Sequence, residues 1–156
     1  MLLSSIFAPY NIKTPLISLD KMELFEELVD LYVKNDSSVS KKDILEALWA
    51  RENKMSTAIR DGIALPHARI EGLLEPRGII GISKDGIKYD DAGSAPVHFV
   101  FMLLSTPTLA SMHLSILSSI NLLLGNQDFL RELMAQNSSS GIHKLLEEYE
   151  ASMLEI

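Results

Sequence analysis

Between Gly62 and Phe101 the pattern of this chain changes to short continuous apolar runs, while on either side apolar residues recur at helical spacing. The runs at Ile63 to Leu65, Gly78 to Ile82 and Val97 to Leu104, punctuated by Gly, Pro and Asp, predict strands, the last long and buried. Upstream, Phe25, Leu28, Val29 and Tyr32 make one face of a helix from about Lys21 to Lys34. Ser40 is placed to cap a second helix, with Asp43 in its first turn and Ile44, Leu45 and Leu48 facing inward. Downstream of Pro107, Leu109, Ile116, Leu117, Ile120 and Leu124 form a stripe that Gly125-Asn126 ends. Phe129, Leu130 and Leu133 mark a further helix, and Ile142, Leu145, Leu146 and Tyr149 a last one. Strands framed by amphipathic helices bury both kinds of element only in a layered α/β or α+β sandwich around a central sheet. No repeat and no break in composition divides the 156 residues, so residues 1–156 read as one domain.

Composition narrows the function. The net charge of −7, with no basic stripe, argues against nucleic acid, whose phosphates need clustered Lys and Arg. With 47% hydrophobic and 22% charged residues the chain has a globular profile, not a disordered one. It has no cysteine, which excludes disulfides and thiolate chemistry and suits a reducing cytoplasm. Nothing approaches eighteen consecutive apolar residues, so no direct membrane insertion is expected. The first ten residues lack a charged region and a long apolar run, so they do not read as a signal peptide.

Four histidines differ in context. His67 follows Gly62-Ile63-Ala64-Leu65-Pro66. Because Pro66 cannot donate to a ladder, the strand is expected to stop there and to present His67 at a sheet end. His113 lies on the stripe of its helix, four residues from Leu109 and from Leu117. Read alone, either could be a structural hydrogen-bonder. If they meet, two neutral imidazoles beside an arginine could bind and release a phosphoryl group. Arg51, near the end of the second helix, either complements the helix dipole or holds phosphoryl oxygens with its planar fork. His98 and His143 read as structural or exposed. A metal is the weaker reading of the pair, because zinc wants three or four ligands and no HExxH or HxH occurs. There is no GxxxxGK[ST], GxGxxG or GxSxG, so no cofactor is expected.

The stretch from Arg51-Glu52 through Ser56-Thr57 to Gly62-Ile63-Ala64-Leu65-Pro66-His67-Ala68 resembles the phosphorylation-site signature of the fructose/mannitol-type enzyme IIA domains of the bacterial sugar phosphotransferase system. That family includes the nitrogen-regulatory enzyme IIA proteins. The opening Leu2 to Ile12 and the second half, from Val97 through Pro107 to His113-Leu114, are similar as well. The resemblance implies a central mixed β-sheet flanked by helices on both faces. It matches His67 to the phosphorylated histidine, His113 to a second active-site histidine and Arg51 to an arginine beside the phosphoryl group. Ser56 and Thr57 match small hydroxyl residues near the site, and by that match they are expected to bind the phosphoryl group. It also implies phosphate arriving from the phosphocarrier protein HPr and leaving to a cysteine on an enzyme IIB domain, or a phosphorylation state read by a regulated protein.

Ala58 and Arg60 stand where the family motif commonly has glycine, which predicts strain if the backbone there needs a positive φ. Arg60 also adds a cation that could bind phosphate. Residues 109–111, Leu-Ala-Ser, lack the acidic and amide residues that many members carry before the second histidine. Three functions follow as expectations: a phosphocarrier in sugar uptake, a regulatory domain of the nitrogen branch, and a degenerate, unphosphorylated binding module. With no IIB or membrane domain in the sequence, the regulatory branch is favoured over transport. With His67, His113 and Arg51 all present, a competent site is favoured over the degenerate one.

Overall fold

The computed structural model describes residues 1–91 and 93–154. Its centre is a mixed sheet of six strands. In spatial order they run β1 (Ile12–Lys13), β5 (Arg77–Ile87), β6 (Val97–Ser105), β3 (Ile63–Ala64) and β2 (Ala58–Arg60), while β4 (His67–Arg69) also pairs with β6. The long β5 and β6 are antiparallel; β1 runs parallel to β5, and both β3 and β4 run parallel to β6.

Alternation along β6 divides the core. Phe99, Phe101 and Leu103 pack with α1 (Leu3–Ile6), α4 (Ala110–Leu124), α5 (Gln127–Ala135) and α6 (Ser139–Leu154). Val100, Met102 and Leu104 pack on the other face with α2 (Lys21–Asn35) and α3 (Lys41–Glu52). A strand buried on both faces explains the unbroken apolar run, each such side chain stabilising the fold by about 1.5–3 kcal/mol.

The helix starts follow local chemistry. Asp20 accepts from the Glu23 amide at 2.9 Å, Ser40 from the Asp43 amide at 3.1 Å, and Asn126 from the amides of Asp128 and Phe129. Pro107–Leu124 is long and apolar enough to cross a membrane by length and composition. Its Ile116, Ile120, Leu123 and Leu124 are instead buried against the sheet.

One expectation fails. Pro66 interrupts the pairing along β6 but does not end it. His67 pairs with Leu103 in the register by which Ala64 pairs with Val100, and the strand continues to Arg69. Proline has no donor, yet its carbonyl still accepts, and the Leu103 amide donates to it at 2.9 Å. The Leu65 amide turns away to the Thr57 carbonyl at 2.9 Å. His67 therefore opens a second short strand. The condition for strain at Ala58 and Arg60 is not met, because both lie in extended β2 and no non-glycine residue among those described has a positive φ. The left-handed turn falls on Gly62, at φ 84°.

Candidate functional site

Period-two alternation along β3 and β4 sends Ile63, Leu65 and His67 to the α4 side of the sheet. On α4, the stripe that buries Ile116 and Ile120 also carries His113, only 2% exposed. The His67 and His113 rings meet with centroids 5.5 Å apart and planes inclined at 51°. They line a cleft of about 400 Å³ with Arg51, Lys54, Arg69, Leu114 and Leu117. Arg51 and Lys54 come from the end of α3 and the turn after it, and α3 packs against β4.

Each imidazole is held by one nitrogen. His67 Nδ1 lies 2.9 Å from the Leu65 carbonyl oxygen, which can only accept, so Nδ1 carries the proton and Nε2 keeps its lone pair. His113 Nδ1 is hydrogen-bonded to the hydroxyl of Ser105, the fully buried last residue of β6. Burial lowers the pKa of both rings. For His113 it does so, helped by His67 and Arg69, to about 4. For His67 burial outweighs the Leu65 carbonyl, and Arg51 and Arg69 add to the lowering. Both rings are neutral at pH 7.

No carboxylate among the described residues neutralises the cations of the cleft. Arg51 donates from Nη1 to the Met55 carbonyl at 2.8 Å. Neither it nor Lys54 nor Arg69 has a carboxylate partner among the described residues. In a chain of net charge −7, three such cations around two neutral imidazoles make a local anion-binding field.

The other expected residues are engaged elsewhere. Ser56 donates to Asp90 Oδ2 at 2.7 Å. Thr57 is buried, its hydroxyl 2.6 Å from Glu52 Oε1 and 2.7 Å from the Tyr89 hydroxyl. Arg60 reaches Asn121 on α4 and lines a separate groove with Gly62 and His98. None of the three lines the cleft, and each side chain is hydrogen-bonded to another part of the protein. His98 and His143 hold the backbone carbonyls of Ser83 and Ser4 at 2.9 and 2.8 Å.

Sequence reasoning missed Arg69 and Ser105. Strand alternation from His67 would have put Arg69 on the same side; nothing in the spacing of Ser105 points to His113. Among the described residues no three His, Asp or Glu side chains stand together to hold a metal. A larger groove of about 1000 Å³, along α2 and the Ile17 to Leu19 segment, contains no histidine.

A family model described as the phosphoenolpyruvate-dependent sugar phosphotransferase system, EIIA 2, matches residues 5–149. The fructose-specific EIIABC component of Bacillus subtilis is 29% identical over 150 residues, which cover 96% of this chain and 24% of that protein. The fructose-specific EIIA component of Haloferax volcanii is 30% identical over 123 residues, 79% of this chain and 80% of that one. The crystal structure of nitrogen regulatory protein IIA-Ntr from Neisseria meningitidis matches with a TM-score of 0.84 at 28% identity, covering 92% of this chain and 98% of the other.

Proposed function

Because the chain belongs to the EIIA 2 family of the phosphoenolpyruvate-dependent sugar phosphotransferase system, we propose that it is a cytoplasmic phosphotransferase component that carries a phosphoryl group on His67. The observation that carries this reading is the neutral His67 ring, its Nδ1–H bound to the Leu65 carbonyl, beside a second imidazole in a cleft of unpaired cations. The Nε2 lone pair attacks phosphorus in line while the P–N bond to the histidine of phospho-HPr breaks. The bonding pair returns to the donor ring, which leaves neutral, and the positive charge passes to the His67 ring. The Leu65 carbonyl, accepting from Nδ1–H, stabilises that charge. Arg51, Arg69 and His113 donate to the equatorial oxygens, where fixed donors in a partly dry site lower the barrier most. The same geometry run in reverse delivers phosphate to an enzyme IIB domain. Ser56, Thr57 and Arg60 act in this reading by shaping the segment that leads into His67, not by touching phosphate.

A regulatory use of the same chemistry is favoured by the neisserial nitrogen regulatory structure, which matches over nearly its whole length. Phosphorylation adds negative charge at the cleft mouth, and a regulated protein can read that change.

The test is phosphate incorporation from phospho-HPr. Wild type is expected to gain one acid-labile, base-stable phosphate, folded His67→Ala none, and His113→Ala the same phosphate more slowly. Full labelling of His67→Ala would overturn the assignment, and an unlabelled wild type would leave a binding module without phosphoryl chemistry.

A further inference from the structure

We propose that Ser105 fixes the tautomer of His113, so that this ring presents an N–H to the cleft and acts as a donor to the phosphoryl group, never as a second acceptor. The inference deepens the phosphoryl-carrier reading and rests on it for the donor role, though the tautomer itself does not.

The argument is a proton count. Ser105 is fully buried at the end of β6, on the sheet face that α4 covers. Its hydroxyl must place one proton, and buried hydroxyls almost always do so on an acceptor. Among the described residues its Oγ has one hydrogen-bond partner, His113 Nδ1. The hydroxyl therefore donates and Nδ1 accepts. A neutral imidazole has a single N–H, so in His113 it sits on Nε2, the ring nitrogen left to face the cleft.

His67 has the opposite arrangement. There the partner is a carbonyl, the proton is on Nδ1, and the lone pair is on Nε2. One cleft thus holds two imidazoles in complementary tautomers, 5.5 Å between centroids. His67 offers a lone pair to phosphorus, and His113 offers a proton to one of its oxygens. What distinguishes acceptor from helper is the group behind each ring, a backbone carbonyl for one and a serine hydroxyl for the other. Ser105 is thus a positioning residue that acts through His113.

Long-range ¹H–¹⁵N NMR of the histidine rings at neutral pH tests this directly. The wild type is expected to show His113 as the Nε2–H tautomer and His67 as Nδ1–H. A wild-type His113 found as Nδ1–H, or as an even mixture, overturns the inference whether or not the protein takes up phosphate. In folded Ser105→Ala the His113 signals should move to a mixture of tautomers. Uptake from phospho-HPr should fall about twofold, in proportion to the share of rings that leave the Nε2–H tautomer. Ser105→Thr, which keeps the hydroxyl, should restore both. An unchanged tautomer or an unchanged rate in Ser105→Ala overturns the inference while leaving the phosphoryl-carrier reading intact. A wild type that phospho-HPr cannot label sinks that reading and the donor role, and the spectra still decide the tautomer. Should Ser105→Ala fail to fold, the wild-type spectra decide alone.

Discussion

Arg51 and Glu52 are neighbours in sequence at the end of α3, and they belong to opposite kinds of polar site. Glu52 is 5% exposed, and every oxygen it has is used. Oε2 accepts from the Thr57 amide at 2.8 Å and from Lys21 at 3.1 Å, and Oε1 from the Thr57 and Tyr89 hydroxyls at 2.6 and 3.2 Å. Lys21 also reaches Asp90, which holds Ser56. On the other side of the same turn, Arg51, Lys54 and Arg69 face the cleft without a carboxylate among them. Saturated polar groups hold a backbone in place; unsaturated ones wait for a ligand. The comparison teaches that adjacency in a motif does not assign a role, whereas the tally of unspent donors does.

The largest effect that could break this comparison is removal of the proposed acceptor. His67→Ala should abolish phosphate uptake while the thermal transition stays close to that of the wild type, because His67 is only half-buried and supports no buried cluster. A folded variant that still labels would mean that the unspent groups serve something other than His67.

Glu52→Ala should show the reverse pattern. It strands the Thr57 amide, two hydroxyls and the Lys21 ammonium around a buried gap, and should lower unfolding free energy by about 3 kcal/mol in urea titrations. The molecules that remain folded should still take up one phosphate. Wild-type stability in this variant would show that Glu52 is not the anchor of the turn.

Arg51→Ala sharpens the contrast from the other side. Its fold and urea midpoint should be nearly unchanged, while transfer from phospho-HPr slows by about 2 kcal/mol, roughly thirtyfold, as expected for a lost hydrogen bond to a charged group. Unchanged kinetics would reduce Arg51 to helix-end electrostatics and its bond to the Met55 carbonyl.

This division explains what was legible in the sequence. Helical and strand periodicities gave both helix layers and the central strands, because one buried face leaves a period in the residues. The Pro-His step and the stripe on α4 pointed to His67 and His113, and the structure brings the rings together. Ser56 and Thr57 looked like phosphate ligands because they stand in the motif, but Ser56 is taken by Asp90, thirty-four residues away, and Thr57 by Glu52 within the motif and by the distant Tyr89, and no periodicity encodes those bonds. The continuation of pairing with β6 past Pro66 was hidden for a related reason. A rule about the donor that proline lacks says nothing of the acceptor it keeps, and Pro66 uses that acceptor on Leu103. Ser105 has no signature, since a serine closing an apolar run reads as the end of a strand whether or not an imidazole waits behind it.

The smallest effect concerns the pH at which the cleft stays neutral. Burial, with His67 and Arg69 adding to it, lowers the pKa of His113 from the ordinary 6.5 to about 4. Between those values the unfolded chain binds a proton there that the folded chain refuses. His113 thus contributes to a loss of stability as pH falls through 6.5 toward 4, and contributes almost no change above about pH 7.5, where the ring is neutral in both states. Between pH 7 and pH 5.5 the loss assigned to this group is about 1 kcal/mol, since one pKa unit corresponds to about 1.4 kcal/mol. His67, also lowered, acts in the same direction, so the measurement must be a difference. Urea midpoints at the two pH values, taken for wild type and for His113→Gln, isolate it. A glutamine at this position can still hydrogen-bond but does not titrate. The wild type should lose more stability than the variant on going to pH 5.5, and the excess should be the His113 share. Equal losses would mean that His113 protonates in place and that the cleft is wetter than its 2% exposure implies. An excess near ~1 kcal/mol would mark the ring as a buried neutral group, the state in which Nδ1 can accept from the Ser105 hydroxyl.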